Sequence, residues 1–287
     1  MSSVIPIVHR YEATFLAFYV NAFLVETQSA VVAIDAALAI PDVDNLRAML
    51  KDKIKKPLRA ILLTHGHPDH YTGASHLMRG FPGDIPIVAT KGTLVQCMAR
   101  DEEESGYLAS EQLFGAAYPR ERQFPDQLVE NGVIVEYDDV KFRLEDLGPA
   151  ESDDDCTWTI DIAGVEHVFS GDIVYNKYHP FFHDGHTSNW LKVIDNCIAR
   201  YDHRTVFHPG HGDDMGIEAF YWKRGYIQAF VRLLQELLDG RPTLSSEEQQ
   251  QLMERMTRYL PSDRLAWLTL WQFDETVRRM REDGILK

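Results

Sequence analysis

The chain has 287 residues, of which 45% are apolar and 25% are charged, and its formal net charge is −15. This composition is typical of a folded globular protein and excludes a largely disordered chain. Because a strongly negative field repels phosphate groups, we expect no binding to nucleic acid or to anionic membranes, and a small-molecule substrate instead.

The cysteines and the N-terminus narrow the class of protein further. Cys97, Cys156 and Cys197 are far apart and form no CxxC pair, which predicts buried free thiols, not disulfides or a thiolate zinc site. No basic stretch precedes an apolar core at the N-terminus, and the apolar segment 15–25 is too short to span a bilayer. We therefore expect a cytoplasmic protein.

Apolar patterns in the first part of the chain predict strands followed by alternating helices and strands. Helical spacing between residues 42 and 54 is followed by a continuous apolar strand and then by a helix with Pro68 in its first turn. The predicted strands here are residues 16–20, 22–26, 30–35, 59–64 and 85–89.

The middle of the chain contains an interruption and then a second group of strands. Residues 93–125 are charged, partly helical and irregular, which indicates an insertion or lid. Strands are predicted at residues 133–137, 140–147, 157–162, 165–170 and 205–207, with a helix at 188–200. Two groups of strands interleaved with helices favour an α/β fold of two packed sheets with helices outside.

The C-terminal part is predicted to be helical, at residues 218–238, 246–259 and 264–281. The first of these helices carries an apolar face that indicates either core packing or a homodimer contact. We interpret residues 1–215 as the main domain and residues 216–287 as a helical extension that packs on it.

The hexapeptide HGHPDH, residues 65–70, concentrates metal-ligand side chains directly after a predicted strand. On an extended chain His65 and His67 project to the same side, where both can bind one metal ion. Asp69 and His70 then enter the helix, which directs them beside that ion. One loop thus offers ligands to two adjacent metals.

This hexapeptide resembles the HxHxDH signature of the metallo-β-lactamase superfamily, and two later motifs strengthen the resemblance. Ser170-Gly171-Asp172 resembles the motif whose aspartate bridges two metals. The stretch FHPGHG, residues 207–212, resembles the motif whose last histidine, here His211, binds the second metal. The resemblance covers roughly residues 15 to 215 and implies a four-layer αββα sandwich with the metals at one edge.

One expected ligand is replaced. The superfamily usually has a histidine between the HxHxDH motif and the motif that contains Asp172, whereas residues 148–153 here read GPAESD. Glu151 is the expected substitute, as glutamate serves in alkyl sulfatases of this superfamily, and Asp153 is the competing candidate. Because Glu151 makes a third carboxylate beside Asp69 and Asp172, we expect a less electrophilic first metal that tolerates harder ions.

The resemblance implies a binuclear hydrolase with two divalent metal ions, zinc first and iron or manganese as alternatives. A metal-bound hydroxide would cleave an ester, lactone, thioester or sulfate ester, with Asp69 orienting it and carrying a proton. The alternative on the same fold is a mononuclear non-heme iron oxidoreductase of the persulfide dioxygenase type. The aromatic segment after Asp172 suggests substrate contacts from Tyr178, His179, His183 and His186.

Overall fold

The computed structural model describes residues 5–102, 112–113 and 115–287. It shows two β-sheets packed face to face, with helices against both outer faces. This is the predicted four-layer αββα architecture.

The first sheet joins strands β1 to β6 in chain order. Its first three strands pair antiparallel, as hairpin connections allow, and β3 to β6 pair parallel through helical crossovers. The strands are β1 Ile7–Glu12, β2 Asn21–Glu26, β3 Val31–Ile34, β4 Leu58–Leu62, β5 Ile87–Ala89 and β6 Gln127–Leu128.

The second sheet has the strand order β11-β10-β9-β8-β7. Neighbouring strands are antiparallel except for β10 and β11, which are parallel. The strands are β7 Ile134–Tyr137, β8 Val140–Gly148, β9 Asp155–Ile162, β10 Val165–Gly171 and β11 Val206–Pro209.

The helices occur between strands in the first half of the chain and dominate its end. They are α1 Ile40–Ala48, α2 Pro68–Tyr71, α3 Ala74–Met78, α4 Lys91–Glu102, α5 Thr187–Arg200, α6 Glu218–Leu238, α7 Ser246–Tyr259, α8 Ala266–Thr269 and α9 Phe273–Glu282. Pro68 occupies the first turn of α2, as predicted, where its missing N–H leaves no helical bond unmade.

Alternating strand residues separate the core into three layers. Phe23 and Val25 of β2 point between the sheets, whereas Ala22 and Leu24 point to the helices outside the first sheet. The period-2 geometry of a strand produces this division, and it requires β2 to be apolar on both faces. The core between the sheets also includes Trp158, which is completely buried.

The strand predicted at residues 16–20 is wrong. Phe15–Ala17 forms a 3-10 turn capped by the Thr14 hydroxyl, which accepts a hydrogen bond from the amide of Leu16. Phe18 and Tyr19 then adopt positive φ angles of 53° and 59°, which no strand contains. The aromatic residues of this apolar run therefore pack against other rings and do not pair as a strand of the sheet.

Two predicted helices also differ from the observed ones. The helix at 264–281 is interrupted, because Leu265 and Gln272 have left-handed backbone conformations, and two shorter helices replace it. The helix at 42–54 starts earlier and continues from α1 into a π-helical segment, Met49–Ile54. Strand β1 was not predicted. Of the predicted insertion, residues 103–111 and 114 lie outside the described residues.

The apolar face of α6 packs inside the protein. Phe220, Ile227, Phe230 and Leu234 are buried in one cluster with residues of α5 and with Val168 from the outer face of the second sheet. Core packing, one of the two predicted roles, therefore accounts for this face. Within the described residues, no helix combines the length and apolar character that a membrane crossing requires.

Candidate metal centre

The first group of candidate ligands lies where β4 leads into α2. His65 and His67 face each other, with His65 Nε2 3.1 Å from His67 Nδ1. The carboxylate of Glu151, in the turn after β8, approaches both: its Oε2 lies 3.3 Å from His67 Nδ1 and 3.9 Å from His65 Nε2. Asp172 completes this group, in which one ligand atom from each residue lies within 4.8 Å of the others.

A second group lies beside the first. Asp69, His70 and His211 also offer ligand atoms within 4.8 Å of one another. Asp172 approaches this group through both oxygens, with Oδ1 3.4 Å from His70 Nε2 and Oδ2 3.3 Å from His211 Nε2. Asp172 therefore lies between the two groups, the position predicted for a bridging ligand.

The strand ends explain why distant residues converge. Asp172 follows β10 and His211 follows β11, and these strands are parallel, so their carboxyl ends meet at one edge of the sheet. Gly210 fits closely here: a Cβ on it would lie 1.9 Å from Asp172 Oδ1. The side-chain amide of Asn21 donates to the carbonyls of Pro209 and Gly212 and holds this loop.

The chemistry of both groups fits divalent metal ions. Imidazole nitrogens and carboxylate oxygens are the ligands that zinc takes in catalytic sites. His70 Nε2, Glu151 Oε2 and Asp172 Oδ1 are buried and have no hydrogen-bond partner among the described residues. Buried polar atoms seldom remain unpaired, so unpaired ligand atoms on three neighbouring residues indicate a cation site.

Burial and neighbouring charges shift the pKa values of the candidate ligands away from their ordinary values. Burial raises the pKa of Glu151 well above its usual range, and the negative charge of Asp172 adds to this. Burial likewise lowers the pKa of His65 well below its usual range, and the neighbouring His70 and His67 lower it further. A cation between these side chains would favour ionised carboxylates and neutral imidazoles, the forms that bind metals.

Several further residues orient the candidate ligands. His67 Nε2 lies 2.9 Å from Asp184 Oδ2, and His70 Nδ1 lies 2.8 Å from Asp35 Oδ2. In both histidines a carboxylate holds one nitrogen and leaves the other facing the site. Sequence reasoning missed Asp35 and Asp184, since a single acidic residue at a strand end or in a loop gives no distinctive signal.

Tyr175 links the two groups and was also missed. Its hydroxyl donates to Glu151 Oε1 over 2.6 Å, and its ring stacks on the His211 imidazole with centroids 5.2 Å apart. Behind Tyr175 lies Lys223 of α6, whose Nζ is 4.3 Å from the Tyr175 ring centroid. Lys223 is fully buried, and its amine has no hydrogen-bond partner among the described residues.

The structure separates the two acidic candidates for the replaced histidine. Glu151 is buried with an oxygen directed at His65 and His67. Asp153 is half exposed and forms ion pairs with His186 and with Arg100. Of these two residues, only Glu151 belongs to one of the candidate ligand groups found among the described residues.

The four residues predicted as substrate contacts make their polar contacts outside the two ligand groups. His179 is enclosed between the Tyr226 hydroxyl and the Ser262 carbonyl, and His183 lies beside Thr276. His186 pairs with Asp153, and the Tyr178 hydroxyl donates to Glu12. None of these four side chains lines the cleft above the metal-ligand groups, although the Tyr178 ring lies 5.8 Å from that of His211.

This cleft encloses about 700 Å³, including the part open to solvent. Its floor contains His67, Asp69, Asp172 and His211 from the two groups. Its walls are mostly apolar and aromatic, and Arg100 adds one cation. The apolar and aromatic residues that line the cleft are Phe18, Pro68, Leu113, Tyr175, Phe181, Trp267, Leu268 and Trp271.

Known proteins resemble this chain in sequence pattern and in fold. The family model of the metallo-beta-lactamase superfamily matches residues 16–211. A beta-lactamase domain protein from Burkholderia ambifaria superposes with a TM-score of 0.65 at 17% identity, over 93% of this chain and 86% of that one. A metallo-beta-lactamase family protein from Thermus thermophilus gives 0.63 at 22% identity, over 96% and 94% of the two chains.

A metallo-beta-lactamase from Pontibacter korlensis superposes with a TM-score of 0.59 at 18% identity, over 79% of this chain and 97% of that one. At these identities the structural matches show a shared fold and nothing about the substrate. No curated protein gives a significant sequence match.

Proposed function

This chain belongs to the metallo-β-lactamase superfamily, and from that premise we propose that it is a binuclear metal-dependent hydrolase of a small ester-like substrate. The observation that carries the proposal is the pair of buried ligand groups at the cleft floor, with Asp172 between them. Substrates of this class are esters, lactones, thioesters and sulfate esters.

Each ligand group would hold one ion, zinc in the first instance. His65, His67 and Glu151 would bind the first metal, Asp69, His70 and His211 the second, and Asp172 would contact both. Two divalent cations, when bound, supply Lewis acidity and lower the pKa of coordinated water. Asp35 and Asp184 would keep His70 and His67 in the tautomers that face the metals.

Asp69 is the proposed catalytic residue. Its carboxylate lies at the cleft floor, with Oδ2 3.4 Å from His211 Nε2. Burial would raise the pKa of Asp69, but the charge of His70 and a hydrogen bond from His211 reverse this and lower it. An ionised Asp69 can orient the attacking water, accept its proton and pass that proton to the leaving group.

The second candidate function is a mononuclear non-heme iron oxidoreductase. The observation that favours it is the composition of the first group, in which two histidines and a carboxylate can occupy one face of an iron ion. The second group, Asp69, His70 and His211, has no assigned role in such an enzyme. The binuclear hydrolase accounts for both groups and is therefore our first proposal.

Elemental analysis of the purified protein tests the proposal directly. We expect about two metal ions per chain, with one lost in Glu151→Ala and one in His211→Ala, because each substitution removes a ligand from one group. Asp153→Ala is the matched control, since Asp153 lies nearby but outside both groups, and it should keep both ions. One iron per chain with no second metal would favour the oxidoreductase.

Activity completes this test. The metal-loaded protein should hydrolyse at least one class in a panel of p-nitrophenyl esters, lactones, thioesters and sulfate esters, and Asp69→Asn should lose this activity. A metal-loaded protein that hydrolyses none of them contradicts the proposed function.

A further inference from the structure

Three separate parts of the chain contribute aromatic residues to the walls of the cleft. Phe18 follows the 3-10 turn, Phe181 follows Asp172 in the loop before α5, and Trp267 and Trp271 belong to the α8 region. Trp267 and Trp271 meet edge to face, with ring centroids 6.0 Å apart and an interplanar angle of 82°. The ring centroid of Phe18 lies 5.9 Å from that of Trp267, so the rings of Phe18, Trp267 and Trp271 form a connected surface.

The charge of the cleft is concentrated at its floor. Among the described lining residues, Arg100 is the charged side chain that lies outside the metal-ligand groups. Its guanidinium already donates to Asp184, a buried carboxylate, and lies 3.7 Å from Asp153. The described walls therefore offer no uncompensated cation to a negatively charged substrate group.

We propose that this cleft selects substrates in which the scissile group is joined to an uncharged aromatic ring, which packs against Trp267 and Trp271. The inference rests on the proposed function, since it places the ester-like group over Asp69 and His211. Aromatic walls favour a flat ring because stacked and edge-to-face ring pairs stabilise a complex beyond the apolar area that they bury.

A substrate with a carboxylate in place of the aromatic ring would bind less well. It would lose hydration against the aromatic walls without gaining a free cation, and burying an unpaired charge is strongly unfavourable. The wall thus predicts discrimination by charge as well as by shape.

Three S-ethyl thioesters that differ at one position test this inference. S-ethyl 3-phenylpropanethioate, S-ethyl butanethioate and the S-ethyl monothioester of succinic acid carry phenyl, methyl and carboxylate on the same two-carbon spacer. Because the leaving thiol is constant, released ethanethiol reports on recognition of the acyl group. We expect kcat/KM for the phenyl compound to exceed that of the methyl compound at least tenfold, with the carboxylate compound lowest.

Substitution of Trp271 links this preference to the wall. Trp271→Ala should reduce kcat/KM for the phenyl compound about tenfold, mainly through KM, and change that for the methyl compound less than twofold. Trp271→Phe should restore most of the loss, which separates loss of the ring from damage to the fold. Tyr221→Ala removes an exposed aromatic residue of α6 outside the cleft lining and should leave all three substrates unchanged.

The outcomes distinguish this inference from the proposed function. Equal rates for the three compounds, or a preference for the carboxylate, would overturn the inference and leave the hydrolase intact. If none is hydrolysed, binding decides: saturable quenching of tryptophan fluorescence by 3-phenylpropanamide but not by butanamide would support the inference alone. Absence of both turnover and quenching would overturn the inference together with hydrolysis of these thioesters.

Discussion

Lys223 provides a test of how charge is balanced behind the metal centre. Its amine is enclosed by aromatic rings, with centroids at 4.3 Å for Tyr175, 5.7 Å for Tyr226 and 6.0 Å for Trp190. Burial lowers the pKa of Lys223 well below its usual range, although Asp172 and Glu151 oppose the shift. We predict that Lys223→Met makes the metal-free protein more stable at neutral pH.

The magnitude follows from proton linkage. In the unfolded chain the lysine has its ordinary pKa of about 10.4, whereas burial lowers the pKa of the amine in the folded chain. At neutral pH the folded chain therefore holds this proton less tightly than the unfolded chain does, and the difference destabilises the wild type; methionine at this position has no proton to lose. The unfolded state binds more protons, so the stability of the wild type should rise with pH by up to about 1.4 kcal/mol per unit relative to the variant.

Urea unfolding of chelator-treated protein at several values between pH 6.5 and 9 measures this difference. The stability advantage of Lys223→Met should be largest at the lowest pH and shrink as the pH rises. Lys192→Met, which replaces an exposed lysine on the neighbouring helix α5, supplies the background pH dependence. The reasoning is refuted if Lys223→Met is less stable than the wild type throughout, or if its pH dependence matches that of Lys192→Met.

Three other substitutions address the metal centre. Gly210→Ala should displace Asp172, because the new Cβ would lie 1.9 Å from its Oδ1, and elemental analysis should show loss of metal while circular dichroism shows a retained fold. Asp184→Asn removes the carboxylate that orients His67 and should weaken metal affinity by roughly 10-fold to 100-fold in a chelator competition. Glu151→His removes one negative charge and should shift competitive metal loading from manganese or iron toward zinc; an unchanged preference contradicts the charge argument.

Local sequence patterns were sufficient to predict helices and strands whose periodicity and end residues are visible in the sequence. Helix α6 was predicted with its observed bounds, because its apolar residues recur at helical spacing and Gly240 and Pro242 follow its end. Residues 16–20 were mistaken for a strand, since an apolar run alone does not show whether neighbouring strands are available to pair with it.

The same division applies to the candidate site. The sequence by itself predicted the candidate ligands: HGHPDH through its metal-ligand side chains after a strand, and Asp172 and His211 through motifs that resemble those of the superfamily. Only the tertiary structure distinguished Glu151 from Asp153, since two acidic residues in one turn differ in burial and direction and not in chemistry. Tyr175, Asp184 and the tryptophans of the α8 region depend on contacts between segments far apart in the chain, and local spacing contains no record of such contacts.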